Sequence, residues 1–207
     1  MRLTVVSAGT TSPSSTRLLA DRLTESLVKQ LGDGDGQELE VHVVELRDVA
    51  VDVAKNMVTG FPSPALQAEL DAVTGADGVI AVSPIYSASY SGLFKSFFDV
   101  LDTGALTGMP VLIGATGGTP RHSLALDHAL RPLLSYLRAT VMPTGVYAAS
   151  QDWGGEAAGE LHARIDRAAG ELAGAMAGTP RSRRAGDGFS DVVPFEQQLA
   201  DLGQLDV

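Results

Sequence analysis

The order of segments along the chain predicts a doubly wound α/β fold, with a five-stranded, mostly parallel sheet covered by helices on both faces. Two observations carry that expectation. Short apolar, β-branched runs alternate with longer segments whose leucines recur at helical spacing, the pattern of strands joined by helical crossovers. Loops rich in Gly, Ser, Thr and Pro follow the first, third and fourth of these runs. In a doubly wound sheet such loops share the rim where ligands bind.

The elements follow in order. Leu3–Thr4–Val5–Val6 reads as the first strand. After the loop Ser7 to Ser14, a helix begins near Ser15 or Thr16 and carries Leu18, Leu19, Leu23, Leu27 and Leu31 until the run from Gly32 to Gly36 ends it. Leu39, Val41, Val43, Val44 and Leu46 form the second strand, and a polar stretch then leads to Pro62 and Pro64. A short helix covers Ala65 to Thr74. Gly78 to Val82 is the third strand, expected to stop at Ser83–Pro84 because proline has no N–H for a central ladder.

Gly92 to Leu101 forms a helix with Leu93, Phe94, Phe97, Phe98 and Leu101 as its stripe. The fourth strand, Met109 to Ala115, is broken by Thr116–Gly117–Gly118–Thr119–Pro120. One long helix then carries Leu124, Leu126, Leu130, Leu133, Leu134 and Leu137. Ala139 to Val146 is the fifth strand, where Pro143 favours an edge position or a bulge. A last helix runs from about Glu156 to Met176. Residues 1–177 therefore read as one domain, and residues 178–207 as a C-terminal extension. That extension is a linker with Arg181, Arg183 and Arg184, followed by a small apolar cluster of Phe189, Val192, Val193, Phe195 and Leu199.

Composition narrows the function. The 207 residues include 25 acidic and 15 basic side chains, a net charge of −10. Such a surface repels nucleic-acid phosphates and anionic lipid, so neither is an expected partner. An anionic ligand can still bind where backbone N–H groups and a helix terminus supply local positive potential. The absence of cysteine excludes disulfides, thiolate catalysis and Cys-ligated metal or iron–sulfur centres. His42, His122, His128 and His162 have no convincing ligand spacing, and no metal is expected. The first residues lack the charged and apolar regions of a secretory signal, and no apolar run approaches bilayer length. A cytoplasmic location is expected.

The three loops hold the candidate site. The first, Ser7 to Arg17, carries hydroxyls and leads into a helix N-terminus, which suits a phosphate; an N-cap within a polar surface turn is the plainer reading. It contains neither the Gly-x-x-x-x-Gly-Lys pattern nor Gly-x-Gly-x-x-Gly, so a phosphomonoester fits better than a hydrolysed nucleotide or a dinucleotide. The second loop, Ser83 to Gly92, sets Tyr86 and Tyr90 beside Pro84 and small residues, a surface for a planar heterocycle. Either tyrosine can instead fill the seam between sheet and helix. The third, Ala115 to His122, lets the backbone at Thr116, Gly117 and Gly118 approach a ligand, or simply turns tightly. Lys95, Asp99 and Asp102 read as a solvated face. No nucleophile elbow or Ser–His–acid set is present, no catalytic side chain is assigned, and the chemistry is expected to belong mainly to a bound cofactor.

The segments Pro84–Ile85–Tyr86–Ser87–Ala88–Ser89–Tyr90–Ser91–Gly92–Leu93–Phe94–Lys95 and Ala115–Thr116–Gly117–Gly118–Thr119–Pro120–Arg121–His122 resemble the NADPH-dependent FMN reductase family, which has a flavodoxin-like fold. Leu126–Asp127–His128–Ala129–Leu130–Arg131–Pro132–Leu133 extends the likeness. It is closest to the actinobacterial FMN reductases partnered with luciferase-like flavin monooxygenases, a group the tail Phe189 to Phe195 also resembles. The resemblance implies FMN as cofactor, with Ser7, Ser14, Ser15 and Thr16 around its phosphate. It places Pro84, Ile85, Tyr86 and Ser87 beside ring and phosphate, and Thr116, Gly117 and Gly118 at the pyrimidine edge. It further implies hydride transfer from NADPH or NADH to the ring, a homodimer or homotetramer, and supply of reduced FMN to a partner monooxygenase. Many relatives carry a Ser-x-Arg pattern in the first loop; Gly9, Thr10 and Thr11 stand here, so the resemblance implies no arginine contact to phosphate, and Arg17 is only a candidate substitute. A flavodoxin-like electron carrier and a quinone or azo-compound reductase are the alternatives.

Overall fold

Apolar side chains on alternate strand positions divide between two faces, and this alternation fixes the layers. In this computed structural model, residues 1–32, 39–154 and 157–178 are described. The strands are β1 (Arg2–Ser7), β2 (Glu40–Glu45), β3 (Gly78–Tyr86), β4 (Ser89–Tyr90), β5 (Pro110–Gly117), β6 (Thr140–Val141) and β7 (Val146–Ala149). The helices are α1 (Ser15–Gly32), α2 (Ala50–Thr59), α3 (Pro64–Thr74), α4 (Gly92–Asp99), α5 (Arg131–Tyr136) and α6 (Ala157–Gly178). The main sheet runs β2-β1-β3-β5-β6, and β7 continues the β6 position along β5. All of these pairs are parallel. Five strand positions in this order make the doubly wound, flavodoxin-like arrangement expected from sequence.

Val79 and Ala81 of β3 point into one core with Phe94, Phe97 and Phe98 of α4 and Leu66, Leu70 and Val73 of α3. Ile80 and Val82 point the other way, into a core with Leu19, Leu23 and Leu27 of α1 and Leu161, Ile165 and Leu172 of α6. The period of two on the strand and the i, i+4, i+8 spacing on α1 therefore meet as complementary surfaces. Each of these fully buried large side chains contributes roughly 1.5–3 kcal/mol relative to exposure.

Four readings of the sequence are corrected. The polar stretch before Pro62 contains α2. Only Val53 and Asn56 of that helix are buried, while Val51, Met57 and Val58 are exposed, so its apolar residues form no single stripe. The third strand continues through Pro84 to Tyr86. β1 stops pairing at Ser7↔Val82, while β5 continues to Pro84↔Thr116; Pro84 thus has a strand neighbour on one side only and its missing N–H breaks no inner ladder.

The third correction concerns the long helix. It is a 3₁₀ turn at Pro120–His122, a π turn at Leu126–Leu130 and then α5. Pro132 cannot donate to the His128 carbonyl and its ring crowds that position, and the Arg131 N–H reaches back to the Leu126 carbonyl instead. The fourth is the fifth strand, which is split into β6 and β7. The register changes from Pro110↔Thr140 to Gly114↔Val146, inserting a bulge around Pro143. Its polar groups are satisfied: Arg131 donates to the carbonyls of Met142 and Pro143 at 2.8 and 2.9 Å. Glu171 accepts from the Thr144 N–H and hydroxyl at 2.8 and 2.6 Å. The expected tail, residues 179–207, and the glycines at 34 and 36 lie outside the described residues.

Candidate functional site

The three loops leave neighbouring strands at one level. Ser7 ends β1 beside Val82 of β3, and two residues later Pro84 lies beside Thr116 of β5. From here α1 turns to one face and α4 to the other, so this is the point at which the winding reverses.

The first loop is a helix N-terminus with hydroxyls around it. Ser14 caps α1: its Oγ accepts the Arg17 N–H at 3.2 Å and its carbonyl accepts from Leu18 at 3.0 Å. The N–H groups of Ser15 and Thr16 have no acceptor within the helix. The loop folds so closely that a Cβ at Gly9 would stand 2.1 Å from the Ser14 Oγ. Ser7 is fully buried, and its Oγ has no hydrogen-bond partner in the structure, an arrangement that costs stability unless a ligand or water meets it.

Arg17 does not point a free guanidinium into this loop. Its Nε donates to Asp21 at 2.7 Å and its Nη1 to Glu45 at 2.6 Å. Its hydrogen bonds to Asp21 and then Glu45 hold its pKa above the ordinary arginine value. Arg47 in turn donates to the Thr11 carbonyl at 3.1 Å. These charges brace the outside of the first loop.

The second loop is a hairpin, with Ile85 opposite Tyr90 and Tyr86 opposite Ser89. Its two turn residues, Ser87 and Ala88, have φ of 50° and 67°. Positive φ at both central positions matches the tight hairpin turn usually built from Asn-Gly, and each non-glycine residue there stores strain of about 1 kcal/mol. Ser83 Oγ accepts the Ser91 N–H at 3.0 Å, and Ser91 Oγ caps α4 through the Phe94 N–H at 3.2 Å. Pro84 and Ile85 are buried, whereas Tyr86 is 51% exposed. Tyr90 packs half-buried against the core with its ring 5.8 Å from that of Phe94. Of the two tyrosines, Tyr86 is thus available to a ligand and Tyr90 closes the seam.

Two hydroxyl pairs join the loops. Thr10 Oγ1 and the Tyr86 hydroxyl lie 3.3 Å apart, linking first to second. Thr16 Oγ1 and Thr116 Oγ1, both buried, lie 2.9 Å apart and link first to third. The third turn is also held from below. The Tyr147 hydroxyl donates to the Thr119 carbonyl at 2.7 Å, and Gly117 is required there because its Cβ would meet that hydroxyl at 2.2 Å. Gly118 faces open space.

The sequence-predicted residues are therefore brought to one rim: Ser7, Ser14, Ser15 and Thr16; Pro84 to Ser87; Thr116 to Gly118. Sequence reasoning missed the roles of Thr10, Ser83, Ser91 and Tyr147. Tyr147 was detectable in principle, since a tyrosine within a buried strand needs a partner for its hydroxyl. Burial, and secondarily Asp152, raise the Tyr147 pKa above the usual phenol value. Lys95, exposed, lies 2.6 Å from Asp99 and is held above the ordinary lysine pKa by that hydrogen bond. A cleft of about 510 Å³ lies between the far strand of the second-loop hairpin, α4 and α5, lined by Ser89, Tyr90, Lys95, His128 and Tyr136 among others. A second of about 290 Å³ borders the outer side of the first loop at Ser14, Arg17, Glu45 and Arg47.

Residues 1–154 match the family model described as NADPH-dependent FMN reductase. The chain belongs to this family. An FMN reductase (NADPH) of Pseudomonas aeruginosa is 41% identical over 152 residues, covering 73% of this chain and 78% of the relative. The NADH-dependent FMN reductase SfnF of Pseudomonas fluorescens is 39% identical over 181 residues, covering 86% and 93%. An oxidoreductase from Corynebacterium diphtheriae, solved by X-ray diffraction, superimposes with a TM-score of 0.83 at 47% identity, covering 86% of this chain and 98% of that one.

The donor set at the rim fits FMN. A helix N-terminus and hydroxyls suit its phosphate, the orphaned Ser7 hydroxyl marks a place for a further polar partner, and the turn at Gly118 leaves backbone uncovered. Among the described residues no group of His, Asp and Glu forms a candidate metal site, and no helix is long and apolar enough to cross a membrane.

Proposed function

We propose that this protein is an NAD(P)H-dependent FMN reductase whose flavin occupies the junction of the three loops. The observation that carries the reading is the pair of hydroxyl bridges, Thr10–Tyr86 and Thr16–Thr116, which tie a phosphate-type helix terminus to an aromatic hairpin and a glycine turn. Membership of the family supports the same conclusion.

Ser14, Ser15 and Thr16 offer N–H and hydroxyl donors to the phosphate, with Ser7 beneath them. The Thr16 hydroxyl is paired with Thr116, and its main-chain N–H, without an acceptor in the helix, is a further donor for phosphate. Pro84, Ile85, Tyr86 and Ser87 shape the side of the ring pocket, and Thr116, Gly117 and Gly118 present main-chain groups to the polar edge of the ring. When bound, FMN supplies the two-electron chemistry by which a reduced nicotinamide is oxidised. The protein's share is to orient two rings face to face and to place N–H dipoles where negative charge grows. No side-chain acid is assigned to the transfer.

Residues 1–177 form the flavin-binding unit in this reading and residues 178–207 an appended tail. The protein works in the cytoplasm as a homodimer or homotetramer; Tyr136, 76% exposed beside the α4–α5 cleft, is a contact available to a second copy. Reduced FMN passes to a luciferase-like flavin monooxygenase, a role supported by the sequence resemblance to reductases of that kind.

Anaerobic stopped-flow absorbance tests the activity. Mixing the FMN-loaded protein with NADPH or NADH should bleach oxidised flavin within turnover time and rank the two donors. Tight FMN binding without bleaching by either donor would identify an electron carrier instead.

A further inference from the structure

The third turn is supported from beneath by a side chain outside the three loops. Tyr147 belongs to β7, which pairs with the last residues of β5: Ala115 lies beside Tyr147 and Gly117 beside Ala149. The tyrosine is 3% exposed, with its ring in the core. Only its hydroxyl emerges at the turn, where it donates to the Thr119 carbonyl at 2.7 Å. The space it occupies exists because residue 117 has no side chain: a Cβ there would lie 2.2 Å from the hydroxyl oxygen and 3.2 Å from the ring carbon bearing it.

The turn is thus pinned at both ends. Thr116 is held by the Thr16 hydroxyl at 2.9 Å, and Thr119 by Tyr147. Gly117 and Gly118, between these pins, have no side chains with which to fix their own conformation. Burial and Asp152 keep the phenol protonated, as a hydrogen-bond donor must be.

We infer that Tyr147 is a positioning residue, whose hydroxyl fixes the Gly117–Gly118–Thr119 turn so that its main-chain N–H groups meet the pyrimidine edge of the flavin. This inference rests on the flavin site proposed above. Tyr147 touches neither flavin nor nicotinamide; it acts through the Thr119 carbonyl. Because N–H groups at that edge oppose negative charge, the turn's shape matters more to reduced than to oxidised flavin. Removing the pin therefore weakens binding of both forms unequally.

The test uses the full-length chain and Tyr147→Phe, which keeps the ring and deletes the hydroxyl. Four readouts are compared with wild type: FMN affinity by fluorescence titration, the two-electron potential of bound flavin, amide exchange at residues 117–119 without flavin, and the steady-state constants for NADPH. The expected result is about threefold to tenfold weaker FMN binding and faster exchange confined to the turn. Reduced flavin should lose up to about tenfold more affinity than oxidised, which lowers the potential by about 30 mV. kcat should fall while the KM for nicotinamide stays unchanged.

Gly117→Ala, which keeps the hydroxyl but invades its space, should weaken FMN binding at least tenfold and serves if Tyr147→Phe does not fold. Wild-type FMN affinity, potential and exchange in a folded Tyr147→Phe would overturn the inference and leave the flavin site standing. If the wild-type protein itself gives no saturable FMN titration, both fail together.

Discussion

The first and third loops present main-chain N–H groups to the same rim, yet they are held in opposite ways. Besides its hydroxyl links to Tyr86 and Thr116, the first is braced from outside by charges: Arg17 to Asp21 and Glu45, and Arg47 to the Thr11 carbonyl. The third is held from inside by neutral groups, the Thr16–Thr116 hydroxyl pair and the Tyr147 hydroxyl. The difference follows from position. β1 and β5 each lie next to an edge position, but β2 beside β1 is largely exposed, whereas all four residues of β7 beside β5 are buried. A charged brace near water is screened and adjustable; a buried hydroxyl brace is rigid and costly to leave half-made. Loosening the third loop should therefore damage the site more than loosening the first.

The largest effect should come from Gly117→Ala. Its Cβ must displace the Tyr147 hydroxyl or the turn, an overpacking of about 1–3 kcal/mol. FMN affinity should fall at least tenfold, measured by titration, with partial recovery in Gly117→Ala/Tyr147→Phe. The absence of any recovery would detach Gly117 from Tyr147.

Thr16→Val comes next. It strands the Thr116 hydroxyl in a buried place and should cost about 1–3 kcal/mol in denaturant unfolding. Thr16→Val/Thr116→Val removes both partners and should cost less than the sum of the two single changes. Strict additivity would show that the hydroxyl pair does not couple the loops.

Ala88→Gly should act in the opposite sense. It relieves a left-handed residue in the hairpin and should raise stability by about 1 kcal/mol, or about 2–4 °C in Tm. A lowered Tm would mean that the turn is not strained.

Arg17→Gln should have the smallest effect, at most about 1 kcal/mol because the guanidinium is more than a third exposed and its pairs are screened. The loss should shrink in high salt, and an effect as large as that of Gly117→Ala would reverse the contrast between the loops. Alkaline pH also probes the inner brace. The raised pKa of Tyr147 means the folded state favours its protonated form, so its contribution is fully present below the ordinary phenol value near 10 and is lost as pH rises through the folded value. A tyrosinate absorbance titration of Tyr147→Phe should lack an ionising step above the ordinary phenol value that the wild type shows.

Much of the fold was legible because strand and helix periods are local properties. Val79 to Val82 and the leucines of α1 declare themselves without reference to anything distant. α2 did not, because it buries only Val53 and Asn56 and leaves Val58 in solvent. The extension of β3 through Pro84 was hidden for another reason: whether a proline interrupts a ladder depends on where the neighbouring strand ends. Pro132 and Pro143 did mark the π turn and the split strand, but only the partner strand and Arg131 reveal how the chain accommodates them. At the site, the loop residues could be read from composition and resemblance. The Thr10–Tyr86 and Thr16–Thr116 pairs could not, since they join positions separated by 76 and 100 residues. Hydroxyls carry no sequence mark of their partner.

The most direct measurement is an amide nuclear magnetic resonance titration of the protein with FMN. The account predicts saturable shifts concentrated in three separate stretches, residues 9–17, 84–87 and 116–119, all following one binding curve. Shifts confined to the α4–α5 cleft around Lys95 and His128, or different curves for the three stretches, would contradict a single site built from all three loops.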